Sequence, residues 1–210
     1  MGDLPVYDVV LLPPPDVDAA SIRLSGRLAA QVPVEFVLSQ DLRYPHLSLY
    51  MANLTPADCE KAQKALDDLA LRTPALPLAA THFAGNEHGM FEVFYTRTPE
   101  LVRLQTDVIA AVGPLRTGLR ELDPVGRVIA EHRLTAPAEA RDNLDRHGYD
   151  EIGGLFKPHI TVTRFRERGH VPGELPDPGE FTTVYRTLAL CVMGEHGTCT
   201  DVVAAYELRG

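Results

Sequence analysis

The sequence predicts an α+β chain that is internally duplicated, with its two halves meeting at a shared cleft. Three observations carry this reading. The segment Pro45-His46-Leu47-Ser48-Leu49 returns as Pro158-His159-Ile160-Thr161-Val162 at an offset of 159 − 46 = 113 residues. A turn-like Glu87-His88-Gly89 returns as Glu195-His196-Gly197 at an offset of 196 − 88 = 108. Strand patterns and helix patterns also alternate along the chain. Self-similarity of this kind points to two copies of one unit, not to a solenoid array.

The elements follow in order. Val6-Tyr7-Asp8-Val9-Val10-Leu11-Leu12 is β-branched and apolar, is bounded by prolines, and reads as a strand. Residues from about Asp16 to Gln31 suit a helix with Ile22, Leu24 and Leu28 among its apolar positions. Pro45 to Met51 alternates with period two, as a strand does. Thr55-Pro56 and Thr98-Pro99 each open a helix, with threonine as cap and proline in the first turn. Between these helices lie two strands joined by Gly85-Asn86-Glu87-His88-Gly89. The stretch from Gly113 to Phe156 is read as an enlarged region, a surface excursion in preference to a lid. It holds a polar helix from Ala138 to His147, closed by Gly148, and a hinge or turn at Gly153-Gly154. Pro158 to Thr163 is the second clear strand, and a proline-rich loop then leads to a last strand pair around Gly194-Glu195-His196-Gly197. No linker divides the chain, so residues 1–210 are expected to form a single two-lobed domain.

Composition narrows the function. The 210 residues, 45% of them hydrophobic, can bury one sizeable core. No apolar run approaches the roughly 18–20 residues that span a bilayer. The opening residues lack a basic flank and read as a first strand and not as a signal peptide, so a cytoplasmic protein without membrane contact is expected. The three cysteines are odd in number and lack metal-ligand spacing. They read as free thiols, in preference to a Cys191–Cys199 bridge. A formal charge of −9 argues against coating long duplex nucleic acid, but not against a nucleotide or an RNA end held locally. The late basic residues Lys157, Arg164, Arg166 and Arg168 read as a solvated strand end.

The paired strands carry the chemistry. Alternate side chains on a strand share a face, so His46 points with Ser48 and His159 points with Thr161. Cleaving a phosphodiester needs a base for the attacking oxygen and an acid for the leaving oxygen. Histidine fills either role near neutral pH, and hydroxyls can hold the non-bridging oxygens. Tyr50 shares the face by strict alternation and is the first candidate for a substrate contact, whereas Arg164 falls on the opposite face. His88 and His196 read as turn residues, and His82, His132, His147 and His170 have no partner at useful spacing. No His-x-His or His-x-x-x-His pair occurs, so no metal and no cofactor is expected.

Paired His-x-Ser/Thr motifs with aliphatic flanks, one in each half of a chain of this length, resemble the two-histidine (2H) phosphoesterase superfamily. That superfamily includes bacterial 2'-5' RNA ligase-like proteins and RNA cyclic phosphodiesterases. The resemblance implies a bilobal fold with two antiparallel sheets facing a central cleft and helices outside. It implies metal-independent action on a 2',3'-cyclic phosphate or a related small nucleotide or RNA-end phosphodiester. It also implies His46 and His159 as the catalytic pair, with Ser48 and Thr161 as phosphate-binding hydroxyls. Which histidine is acid and which is base stays open at this point. A non-catalytic nucleotide or RNA-end binder that keeps the cleft is the alternative.

Overall fold

The computed structural model describes residues 4–210; Met1 to Asp3, at the head of the opening stretch read against a signal peptide, lie outside it. The elements are β1 (Val6–Leu12), α1 (Pro15–Ala29), β2 (Leu47–Asn53), α2 (Pro56–Ala70), β3 (Leu76–Leu78), β4 (Ala80–Gly85) and β5 (Met90–Tyr95). They continue with α3 (Pro99–Val112), α4 (Ile129–Thr135), α5 (Ala138–His147), β6 (His159–Arg164), β7 (Thr183–Tyr185), β8 (Thr187–Met193) and β9 (Cys199–Glu207). No helix among the described residues is long and apolar enough to cross a membrane.

Helix starts follow local chemistry. The Thr55 and Thr98 side chains accept from the backbone N–H groups of Asp58 and Leu101, and proline opens the first turn of each helix. Gly148 closes α5 at φ 69°, a left-handed conformation that glycine adopts without strain. The short α4 escapes the sequence pattern because Ile129 is its one buried residue, while its Leu134 is 73% exposed.

Seven strands form one antiparallel sheet in the order β4-β5-β6-β2-β1-β8-β9, and β3 pairs with β7 in a separate ribbon. This corrects the expectation of two sheets. The sheet is continuous and curled, but β2 and β6 share a single registered pair, Leu47 with Ile160, so its halves meet at a narrow seam. The hairpin β4–β5 crosses to flank β6, and the hairpin β8–β9 lies beyond β1 on the β2 side. Val9, Leu11, Leu47, Leu49, Ile160 and Val162 join the apolar faces of α1, α2 and α3 in the main core. Helices therefore cover one face of the sheet, and the histidine-bearing face is left to line the cleft.

Both histidine strands carry a bulge. Val9 pairs with Tyr50 and Val10 with Ser48, so Leu49 is an extra residue in β2. Phe91 pairs with Thr163 and Glu92 with Thr161, so Val162 is an extra residue in β6. The two lie 162 − 49 = 113 residues apart, the offset of the histidines. A bulge shifts the alternation by one residue. Tyr50 therefore turns into the core, and Met51 takes the place on the cleft face.

The region 113–156 is not a surface excursion. Thr117 N–H donates to the Asn53 carbonyl at 2.9 Å, and Asn53 Nδ2 donates to the Leu119 carbonyl at 3.2 Å. Gln105 Nε2 donates to the Glu151 carbonyl at 2.8 Å. These bonds fasten the region against β2 and α3 as a wall of the cleft. Gly153-Gly154 forms a turn within it, and Arg97 donates to the Gly153 carbonyl at 2.6 Å.

Candidate active site

His46 and His159 line the same cleft, with Ser48 and Thr161 beside them. The cleft has a cavity volume of about 110 Å³. Continuing the antiparallel register from the Leu47–Ile160 pair sets His46 across from Thr161 and Ser48 across from His159.

The histidines are held alike. His46 Nδ1 lies 2.7 Å from the Tyr44 carbonyl, and His159 Nδ1 lies 2.7 Å from the Lys157 carbonyl, in each case two residues upstream. A carbonyl only accepts, so Nδ1 carries the hydrogen in both rings and Nε2 is left for chemistry.

Their electrostatics differ. Burial lowers the His46 pKa, and the charge of His159 lowers it further, against the pull of the Tyr44 carbonyl. Burial also works against charge on His159, but Glu92 and Glu151 outweigh it and its pKa rises. Glu92 Oε1 lies 3.6 Å from His159 Nε2. Glu151 is itself raised by burial, and it lies 3.4 Å from the Tyr149 hydroxyl.

Two sequence expectations change here. Tyr50 is fully buried and its hydroxyl donates to the His147 carbonyl at 2.6 Å, so it packs in the core and does not line the cleft. The bulge at Leu49 is the reason. Strict alternation puts Arg164 on the far face, yet the bulge at Val162 swings it to the rim of the cleft. Its guanidinium donates to the carbonyl of His88 (3.0 Å), to Nδ1 of His196 (2.9 Å) and to the carbonyl of Val125 (3.1 Å).

Several cleft residues escape the sequence pattern. His196 reads as a turn residue, but it lines the cleft at φ 60° with its ring stacked on Phe36. Its repeated Glu-His-Gly context is the available signal. Gly197, at φ 70°, lets this turn abut the wall, since a Cβ there would lie 2.8 Å from Pro124 Cβ. Asp8 and Glu92 carry a signal too, as single carboxylates inside the apolar runs Val-Tyr-Asp-Val-Val and Met-Phe-Glu-Val-Phe. Tyr149 and Glu151 carry none, because the region 113–156 has no periodicity that says which way it faces.

Asp8, His46 and Cys199 bring an oxygen, a nitrogen and a sulfur within 4.8 Å of one another, the one such group of possible metal donors among the described residues. Burial holds the Cys199 thiol well above its usual pKa, and the Ser48 hydroxyl occupies Asp8 Oδ2. All three cysteines are free and buried.

No family model matches the sequence, and no curated protein matches it. Solved structures do match over the full length. Escherichia coli LigT complexed with phosphate is 11% identical with a TM-score of 0.54, covering 100% of both chains. TT0787 of Thermus thermophilus is 17% identical with a TM-score of 0.55, covering 98% of each chain. A structure described as a phosphoesterase is 14% identical with a TM-score of 0.55, covering 99% of this chain and 100% of the other.

Proposed function

We propose that this chain, whose fold resembles that of LigT, is a metal-independent phosphodiesterase. Its substrate is a 2',3'-cyclic phosphate or a related small nucleotide or RNA-end phosphodiester. The observation that carries this reading is the matched pair of imidazoles, each fixed through Nδ1 by a backbone carbonyl with Nε2 free, on one cleft. The structures similar in fold add a ligand class, since LigT was solved with 3'-AMP, ATP and NADP+.

The opposed pKa shifts favour one division of roles. His46, kept neutral, is the base: Nε2 takes a proton from the attacking water as its oxygen bonds to phosphorus. His159, kept protonated by Glu92 and Glu151, is the acid: its Nε2–H passes to the ribose oxygen as the ring P–O bond breaks. Thr161 and Ser48 hold the non-bridging oxygens as charge shifts. Among the described residues, Arg127 is the one arginine lining the cleft, and its Nε lies 2.5 Å from Asp123. A compact ester with a single phosphate therefore suits the cleft better than a polyanion.

The test is hydrolysis of a panel of 2',3'-cyclic nucleotides in excess chelator, with His46→Ala and His159→Ala alongside. Turnover by the wild type, lost in both folded variants, supports the pair. Absence of any turnover, with nucleotide binding intact, replaces it with the non-catalytic binder. Activity that survives both substitutions places the chemistry elsewhere.

A further inference from the structure

The two hydroxyls of the histidine motifs are not equivalent. Thr161 lines the cleft with no hydrogen-bond partner among the described residues, so its proton is free for a ligand. The Ser48 hydroxyl is 2.6 Å from Asp8 Oδ2. Asp8 lies in the middle of β1 with 0% exposure, and its Oδ1 has no partner among the described residues. A serine hydroxyl has one proton to give. While Asp8 is ionised, Ser48 gives that proton to the carboxylate and turns lone pairs toward the cleft. Those lone pairs repel a phosphate oxygen.

Among the described residues, no cation bonds the Asp8 carboxylate. His46 Nε2 stands 3.9 Å away, beyond hydrogen-bond reach. Arg120 Nη1 is spent on Met51 Sδ at 3.2 Å. The other titratable groups that act on this patch are His159 from β6, Tyr149 and Glu151 from the cleft wall, Cys191 from β8 and Cys199 from β9. Burial pushes the Asp8 carboxyl up to about 7, against the pull of Ser48, Arg120 and His159. A proton is therefore available to it at neutral pH.

We propose that Asp8 is a positioning residue for anion binding: it takes up a proton as a phosphoryl group enters and so turns Ser48 from a donor to the protein into a donor to the ligand. One proton from solvent joins an Asp8 oxygen, that O–H donates to Ser48 Oγ, and the Ser48 O–H rotates to the phosphoryl oxygen. No other bond forms or breaks. The inference rests on Ser48 as an anion contact, which belongs to the functional reading above.

Sulfate is the probe, because its charge is constant through the neutral range and its binding needs no turnover. Titration calorimetry near pH 8, in two buffers of different ionisation enthalpy, counts the protons taken up. Wild type takes up about one proton more than Asp8→Asn. The asparagine amide donates to Ser48 at every pH, so this variant binds sulfate about tenfold tighter than wild type near pH 8, and about equally near pH 6. Ser48→Ala lowers proton uptake to the level of Asp8→Asn, and serves if Asp8→Asn does not fold. A protonated-carboxyl infrared band gained by wild type on adding sulfate, and absent in both variants, is the direct signature. Equal proton counts, weaker sulfate binding by folded Asp8→Asn at both pH values, or no sulfate binding by folded wild type would each overturn the proposal. Turnover of cyclic nucleotides is read separately. A failed relay leaves that activity standing, and absent turnover leaves the proton count standing.

Discussion

Oε1 of Glu92 lies 3.6 Å from Nε2 of His159, while the carboxyl beside His46, that of Asp8, is turned to Ser48. Two imidazoles of matched geometry thus stand in unlike fields. One is held toward the charged form and the other toward the neutral form.

A bell-shaped pH profile of kcat/KM follows. Activity rises as His46 loses its proton and falls as His159 loses its own. Glu92 raises the His159 pKa, so Glu92→Gln moves the alkaline limb to lower pH and leaves the acid limb nearly in place. Rates measured across the histidine range check this. An alkaline limb that stays put would mean that the carboxylate does not hold the His159 proton.

Each histidine is expected to be worth about 10²–10⁴-fold in kcat, the usual range for a positioned acid or base. His46→Ala and His159→Ala combined should cost little more than the worse single variant, since either loss breaks the same proton circuit. Single-turnover rates on a 2',3'-cyclic nucleotide decide it. Thermal melts confirm that the variants are folded.

Stability carries the mark of Asp8. Its carboxyl sits at about 7 in the folded chain against an ordinary value of 3.8, so between these pH values the folded state binds more protons than the unfolded state. Stability therefore falls as pH rises through that window and levels off above it. Asp8→Asn removes this dependence and stabilises the chain near pH 8 by at most about 4 kcal/mol, the full linkage for such a shift. Urea unfolding at pH 5 and pH 8 measures it.

Tyr50→Phe separates a core tyrosine from a substrate contact. It deletes the bond to the His147 carbonyl and costs about 1 kcal/mol of stability, while KM for a cyclic nucleotide stays unchanged. A raised KM with unchanged stability would return Tyr50 to the cleft.

Much of this site is legible in the sequence, and the reasons can be read from particular residues. The Pro-His-aliphatic-hydroxyl repeat places Ser48, His159 and Thr161 on strands and His46 immediately ahead of one, with all four lining one cleft. Thr55, Thr98 and Gly148 mark helix ends through local chemistry. The faces of Tyr50 and Arg164 are not legible. In Leu49-Tyr50-Met51 every side chain is apolar or amphipathic, so nothing local reveals an extra residue; only pairing with β1 defines it. The cleft wall is hidden for a similar reason. Its anchors are backbone carbonyls such as those of Asn53 and His147, met by partners 64 and 97 residues away (117 − 53 and 147 − 50).

The Arg164 guanidinium ends in three acceptors drawn from three separate parts of the chain: His88, Val125 and His196. One side chain therefore couples both Glu-His-Gly turns to the wall. Local unfolding of any one of these segments must break the same knot. Arg164→Met is therefore expected to speed amide exchange in both turns and in the wall near Val125 together.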